Sequence, residues 1–280
     1  MTPRIVQTWK TENLAAANPI FSISQQSWQS HHPDWEYDFF TDDSIDVYVK
    51  SHFPKYYRKV FSKYQGQIER VDAFRIITLF LEGGVYCDLD GECLKPLDSI
   101  ITKEGVILGQ LINSESRNKY SNAWMCSTKK KEEFWLFVLA EATKRHQKNR
   151  GYSSTEYLTG PVLITDCVQA YQDLEREKIQ SHISSFITDN YTAADKKSSI
   201  HILEPEIIYP VDWSLLTQES RHEILQNRIK TGNPPEQVTS SSHCIHYWTH
   251  SWTRPNYSIP KKLLLRIKYL WNVLFIHSKS

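Results

Sequence analysis

Short apolar runs alternate with segments of helical period along this chain, which predicts an α/β fold: a mixed central sheet flanked by helices. Two further observations support it. Glycines and prolines punctuate the sequence where one period gives way to the other, and no long linker or internal repeat interrupts the 280 residues. That length suffices for one large domain with a substantial core.

The elements follow in order. Ile5 to Thr8 reads as a first strand, followed by Trp9, and Ile20 to Ser30 as a helix. Glu36 to Phe40 reads as a second strand ending at Thr41-Asp42-Asp43, and residues 44–65, interrupted by Pro54, read as short helices. From Ile68 to Glu82 a helix places Val71, Phe74, Ile77 and Leu81 on one face, and Gly83 ends it. Strands are expected over Val85–Leu89, Gly105–Gly109 and Ala123–Cys126, with an amphipathic helix over Glu132–Arg145. Thr159-Gly160-Pro161 caps a helix running through Tyr171. Beyond Ser181 the pattern suggests strands around Phe186, Ile200–Leu203 and Ile207–Tyr209, then a loop over 230–243.

Bulk composition narrows the function. Thirty-three basic and 32 acidic residues leave a net charge of +1, which gives no electrostatic basis for nucleic-acid binding. Five scattered cysteines with no CxxC pair argue against a disulfide framework or thiolate zinc site and favour a reducing compartment. The opening Pro3-Arg4-Ile5-Val6 lacks a signal-peptide pattern, and no apolar run reaches the roughly 20 residues that span a bilayer. The expected location is therefore cytoplasmic.

The densest chemistry lies in Gly83-Gly84-Val85-Tyr86-Cys87-Asp88-Leu89-Asp90. On a strand, Asp88 and Asp90 share a face, and paired carboxylates make a hard-oxygen site for Mg²⁺ or Mn²⁺. An isolated Asp-x-Asp arises by chance about once in a chain of this size. Upstream, Asp72 and Arg75 stand three apart on a helix. They are either a surface ion pair worth little, or a carboxylate and guanidinium that meet sugar hydroxyls and phosphate.

Together with Arg70-Val71-Asp72-Ala73-Phe74-Arg75 and Leu79, that stretch resembles the sugar-binding DXD region of glycosyltransferase family 32. The family includes fungal α-mannosyltransferases that initiate outer chains and the inositol-phosphorylceramide mannosyltransferases, with clostridial toxin glucosyltransferases as relatives. Pro3 to Lys10 is similar to the family's opening, although the His that usually precedes the Gln is missing. Asn122-Ala123-Trp124-Met125 and Thr159-Gly160-Pro161 are similar to its middle, and the His246 to Trp252 segment to its closing His-x-Trp-x-x-Ser-Trp. The resemblance runs in order from residue 3 to residue 252.

The resemblance implies a GT-A-type nucleotide-sugar-binding domain over 1–259 and hexose transfer from a nucleotide-diphosphate sugar with retention of anomeric configuration. Trp9 would stack on the base, with the backbone at Gln7 along its edge. Asp72 and Arg75 would hold the donor sugar, Tyr86 would approach the phosphates, and Asn122 would lie near donor and acceptor. Asp88 and Asp90 would hold the metal with His246, and Ser251 and Trp252 would close over the diphosphate. A divalent ion offsets charge building on the departing diphosphate, and an imidazole ligand tilts the choice toward Mn²⁺ over Mg²⁺. No isolated carboxylate stands out as a nucleophile, which favours attack from the face the diphosphate leaves.

The run Gly91-Glu92-Cys93-Leu94-Lys95-Pro96-Leu97-Asp98 is similar to a Gly-Cys-x-x-Pro-Leu-Asp run of the sphingolipid mannosyltransferase branch. It points to GDP-mannose and a glycan or lipid-linked acceptor, with a UDP-hexose as the competing donor. Residues 260–280 mix lysine and arginine with Leu, Tyr and Trp. They read either as a last packed helix or as a peripheral contact with the inner face of an anionic membrane. His31-His32 reads as a solvated turn, and the spacing of His243, Cys244, His246 and His250 matches no standard zinc site. The competing functional class is a nucleotide-sugar or glycan-binding module without catalysis; a phosphohydrolase would need more carboxylates clustered near Asp88.

Overall fold

The computed structural model describes residues 3–14, 17–112, 117–149, 153–189, 191 and 196–249. Its elements are β1 (Arg4–Trp9), α1 (Pro19–His31), β2 (Glu36–Thr41), α2 (Asp42–His52), α3 (Pro54–Lys59), α4 (Gln67–Glu82), β3 (Gly84–Cys87), β4 (Gly91–Cys93), β5 (Val106–Gln110) and β6 (Tyr120–Ser127). They continue with α5 (Glu133–Asn149), α6 (Thr155–Leu158), α7 (Pro161–Asp173), α8 (Arg176–Phe186), β7 (Ile200–Leu203), α9 (Pro205–Ile208), α10 (Gln218–Thr231) and β8 (Cys244–His246). Six strands form a mixed sheet in the order β2-β1-β3-β6-β5-β7, and β4 with β8 makes a separate antiparallel ribbon. The expected mixed sheet flanked by helices is what the chain builds. A compact unit runs through Trp248. The expected boundary at 259 and the tail over 260–280 lie outside the described residues.

Alternation along the strands explains the layering. Val6, Tyr86, Leu108 and Met125 point into one core with α2, α4, α5 and α7. Their neighbours Ile5, Val85, Ile107, Trp124 and Cys126 point into a second core with Trp28 of α1 and Tyr209 after α9. Both faces of the sheet are covered, as its parallel β1–β2 and β1–β3 pairs require. At the start of α4, Glu69 accepts backbone N–H groups of Gln65 and Gly66, so its carboxylate caps the helix dipole. At the end, Gly83 turns with φ 69° and Gly84 with φ 86°. A Cβ on Gly84 would overlap the carbonyl oxygen of Arg4 on the neighbouring strand.

Several expectations fail for identifiable reasons. The strand after Gly84 stops at Cys87, so Asp88 and Asp90 occupy a turn closed by Gly91 N–H to Asp88 C=O at 2.9 Å. Phe186 ends a helix whose Ile179 and Ile183, four apart, reach the core. Ile207 sits in a short helix started by Pro205, with Tyr209 as its cap. His32 is buried, not solvated: its ring stacks on Trp28 and Nε2 accepts Leu97 N–H at 3.0 Å. The Glu132–Arg145 helix is buried all round its first turns rather than along one stripe, because α4, α7 and α8 all pack on it. Three-residue β4 and β8 are too short to carry a period, and α10 has no buried residue to reveal one.

Replacing Gly84 by alanine should therefore cost at least about 2 kcal/mol, through positive φ together with steric overlap. Urea unfolding of Gly84→Ala beside Gly66→Ala, whose Cβ has ordinary room, reads the difference.

Candidate active site

Helix α4 carries Asp72 and Arg75 on a buried face, 3% and 2% exposed. They are not a surface pair. One Arg75 amino group lies 3.2 Å from Asp72 Oδ1 and 3.2 Å from Asp88 Oδ1. The other donates to the Asn122 carbonyl at 2.5 Å, and the guanidinium lies 4.5 Å from the centre of the Tyr86 ring. Burial disfavours the cation, but Asp88, Tyr86 and Asp72 outweigh it and hold the Arg75 pKa above its ordinary value. The opposite balance applies to Asp72. Its burial prevails over Arg75, Thr159 and Asn122, raising its carboxyl to about 6.

Both oxygens of Asp72 are occupied. Asn122 Nδ2 donates to Oδ1 at 2.9 Å and Thr159 Oγ1 to Oδ2 at 2.8 Å. Asn122 reaches there because β6 leaves register with β5: Leu108 faces Met125, but Gln110 faces Tyr120. The bulged residues 121–124 oppose Gly109, and a bulge re-aims side chains and carbonyls. From it Asn122 offers its amide to Asp72 and its carbonyl to Arg75, while Ala123 C=O accepts Asp88 N–H at 2.8 Å. Gly109 leaves room for the Tyr209 ring, 2.7 Å from where a Cβ would stand.

Beyond the end of β3, the Tyr86 hydroxyl donates to Asp88 Oδ1 at 2.9 Å and lies 3.1 Å from Thr8 Oγ1. Gln7 is buried inside the sheet; its amide donates to Asp88 C=O at 3.3 Å and its oxygen accepts the Tyr37 hydroxyl at 2.8 Å. Its side chain thus supports the Asp88 turn. Trp9, at the end of β1, is half-buried, packs edge-on against Phe21 at 4.5 Å, and has the Lys10 ammonium 5.2 Å from its ring.

The ribbon completes the site. Gly91 pairs with His246, so His246 Nε2 lies 3.0 Å from Asp90 Oδ1 and 3.6 Å from Asp88 Oδ2. Gly91 has no side chain to crowd the imidazole, whose Cδ2 would be 3.5 Å from a Cβ there. One ligand atom from each of Asp88, Asp90 and His246 falls within a 4.8 Å cluster. His246 Nε2 is buried without a well-formed hydrogen bond, while Nδ1 accepts Trp248 N–H at 3.2 Å. Two carboxylates and a buried imidazole nitrogen without a hydrogen bond fit a divalent cation of the Mn²⁺ or Mg²⁺ type. Trp248 takes φ 47° and its ring centre lies 4.1 Å from that of His246.

The structure thus brings together Asp72, Arg75, Tyr86, Asp88, Asp90, Asn122 and His246. Gln7 lies behind them and Trp9 on the strand that adjoins β3; Ser251 and Trp252 lie outside the described residues. Thr159, a helix cap by its place in the Thr-Gly-Pro run, also belongs to the site through its bond to Asp72, a partner 87 residues away that local sequence does not reveal.

Residues 21–107 match the family model described as "glycosyltransferase sugar-binding region containing DXD motif". Inositol phosphoceramide mannosyltransferase 1 of Schizosaccharomyces pombe is 29% identical over 167 residues, covering 58% of this chain and 50% of that protein. The initiation-specific α-1,6-mannosyltransferase of Saccharomyces cerevisiae is 30% identical over 127 residues, 43% of this chain and 26% of that protein. The matches span half the length of these relatives or less. Among solved structures, PaToxG glycosyltransferase aligns with a TM-score of 0.47 at 18% identity, covering 68% of this chain and 81% of that chain, too loose a likeness to carry an argument. The expected resemblance to DXD glycosyltransferases is therefore upheld, and its matched region contains Asp72, Arg75, Asp88 and Asp90.

Burial lowers the His246 pKa, but Asp90 and Asp88 more than offset it and hold it up at about 9. With a folded value above 6.5, this group stabilises the metal-free protein fully below pH 6.5, and the contribution fades as pH rises through about 9. A cation taken up by Nε2 must displace its proton. Apparent Mn²⁺ affinity should therefore rise from pH 7 to 9 with net proton release. Calorimetric titration in buffers of different ionisation enthalpy measures both; pH-independent affinity would contradict the assignment of His246.

Proposed function

We propose that this chain is a metal-dependent, retaining glycosyltransferase of the GT-A type that moves a hexose from a nucleotide-diphosphate sugar to a glycan or lipid-linked acceptor. The observation that carries the reading is the convergence of Asp88, Asp90 and His246, from segments far apart in the sequence, beside the buried Asp72–Arg75–Asn122 cluster. Relatives named as inositol phosphoceramide mannosyltransferases favour mannose as the sugar, GDP-mannose as the donor and an inositol-phosphate lipid as the acceptor. A UDP-hexose is the competing donor.

Asp90, His246 and Asp88 would hold the cation, which supplies positive charge to offset that gathering on the diphosphate as the glycosidic bond breaks. Asp72, oriented by Thr159 and Asn122, faces the donor sugar and accepts its hydroxyls. Arg75 sets the distance between Asp72 and Asp88 and adds a second fixed positive charge near the leaving oxygen. Because its partners already surround it, that charge needs no reorganisation during reaction. Asn122 lies where sugar and acceptor meet, Tyr86 steadies Asp88 and Trp9 offers its ring to the base; the resemblance assigns Ser251 and Trp252, outside the described residues, to the diphosphate. Both oxygens of Asp72 are tied to protein donors, which leaves that carboxylate poorly placed as a nucleophile. That supports attack by the acceptor from the face the diphosphate leaves, without a covalent intermediate.

None of the described helices is long and apolar enough to cross a membrane. Contact with a lipid-borne acceptor is assigned to the basic-aromatic tail over 260–280, outside the described residues.

Release of sugar from GDP-mannose and from UDP-hexoses with Mn²⁺ tests the reading. Wild-type protein should turn over one of these donors, and Asp90→Asn should lose on the order of 100-fold or more. Nucleotide-sugar binding without turnover would instead indicate a binding module.

A further inference from the structure

The ribbon that sets Asp90 against His246 is held from two sides. On one side, α1 grips the backbone: Trp28 Nε1 donates to Gly91 C=O at 2.7 Å, Ser24 Oγ donates to the same oxygen, and Cys93 N–H donates to Ser27 Oγ at 2.9 Å. On the other is a charged grip. Glu92, 2% exposed, receives Arg228 Nε at 2.9 Å on Oε2 and a second Arg228 nitrogen on Oε1. The Tyr247 hydroxyl also donates to Oε2 at 2.7 Å.

Three features set this cluster apart from ordinary packing. First, Glu92 lies two residues after Asp90, and Tyr247 immediately after His246. The backbone joins the same pieces, since Tyr247 N–H donates to Asp90 C=O at 3.0 Å. Second, Arg228 comes from α10, a polar helix with no buried residue, whose Ile224 and Leu225 are only half-buried against the neighbouring apolar cluster. Gly232 closes that helix in the left-handed conformation, its N–H on the Arg228 carbonyl, which fixes the turn from which Arg228 reaches. Third, an ion pair whose carboxylate is buried and whose guanidinium is half-buried is a poor way to gain stability, because desolvation offsets much of the attraction. What a two-bond guanidinium–carboxylate fork does supply is direction.

We propose that Arg228, Glu92 and Tyr247 form a positioning clamp through which α10 fixes the angle between Asp90 and His246, making a polar surface helix part of the metal site. The inference rests on the metal-dependent reading above. It assigns these residues no contact with donor or acceptor. Arg228 acts through Glu92, and Glu92 acts through the strand pair Gly91–His246.

The test is Mn²⁺ titration of the full chain, followed by the paramagnetic resonance signal of free Mn²⁺, alongside metal-free thermal unfolding. Arg228→Met should weaken Mn²⁺ binding on the order of tenfold, as loss of a group that orients metal ligands does. It should also lower Tm, because Glu92 is left buried and unpaired. The double variant Glu92→Gln/Arg228→Met removes the stranded charge, so Tm should recover while Mn²⁺ binding stays weak. Recovery of both together would show a merely structural pair and overturn the proposal, as would Arg228→Met binding Mn²⁺ like wild type. Asp90→Asn separates the two levels. If it loses Mn²⁺ while Arg228→Met does not, only the clamp fails; if it binds like wild type, the metal site fails and the clamp's role with it.

Discussion

A guanidinium cannot be taken out of water unless nearly every side of it meets negative charge or a hydrogen-bond acceptor, and Arg75 sits at the centre of this protein under that constraint. Its partners come from four separate parts of the chain: Asp72 one turn earlier on α4, Tyr86 on β3, Asp88 in the turn beyond it, and the Asn122 carbonyl on β6. Meeting the two amino groups of this one side chain, with Nε left buried without a hydrogen-bond partner, thus fixes the spacing of helix, strand, turn and bulge. The Asp72–Asp88 separation, which the proposed chemistry needs, is a consequence of that satisfaction. Two carboxylates facing each other across a buried space would otherwise repel.

The same economy explains why the site reaches across the whole sequence. Asp88 and Asp90 sit in a turn past the strand end, and a turn alone holds side chains loosely. Here its backbone is tied to Ala123 and Gln7, and its far end passes into the ribbon with β8. His246 arrives by strand pairing, in a register that places it over the one residue without a side chain. Rigid elements therefore determine where the loop carboxylates point, which is the preorganisation that electrostatic catalysis depends on.

Much of this was legible in the sequence where the signal was local. The α4 periodicity, the glycines that stop it and the Asp-x-Asp after them each follow from properties of neighbouring residues, and they located Asp72, Arg75, Asp88 and Asp90. Asp88 and Asp90 share a site by lying in one turn and not by alternating along a strand. Features set by distant contacts were hidden. The bulge at 121–124 shows itself only in the pairing with β5, Thr159 looks like a helix cap until Asp72 is opposite it, and the partners of Glu92 come from residues 228 and 247, far along the chain. His32 follows the same rule: a polar pair before Pro33 suggests solvent, but Trp28 and the Leu97 backbone enclose its ring. α10 shows no apolar stripe because none of its residues is buried: half-buried Ile224 and Leu225 and the Arg228 fork onto Glu92 together tie it down.

The central claim is that one divalent cation sits between Asp88, Asp90 and His246 and carries the diphosphate of a sugar donor. Diffraction at the manganese absorption edge, from crystals grown with Mn²⁺ and GDP or UDP, tests it most directly. The account predicts an anomalous peak bonded to Asp90 and His246, with nucleotide phosphates beside it on the side facing Arg75. Nucleotide bound with no peak there, or a peak at any other group of side chains, would contradict it.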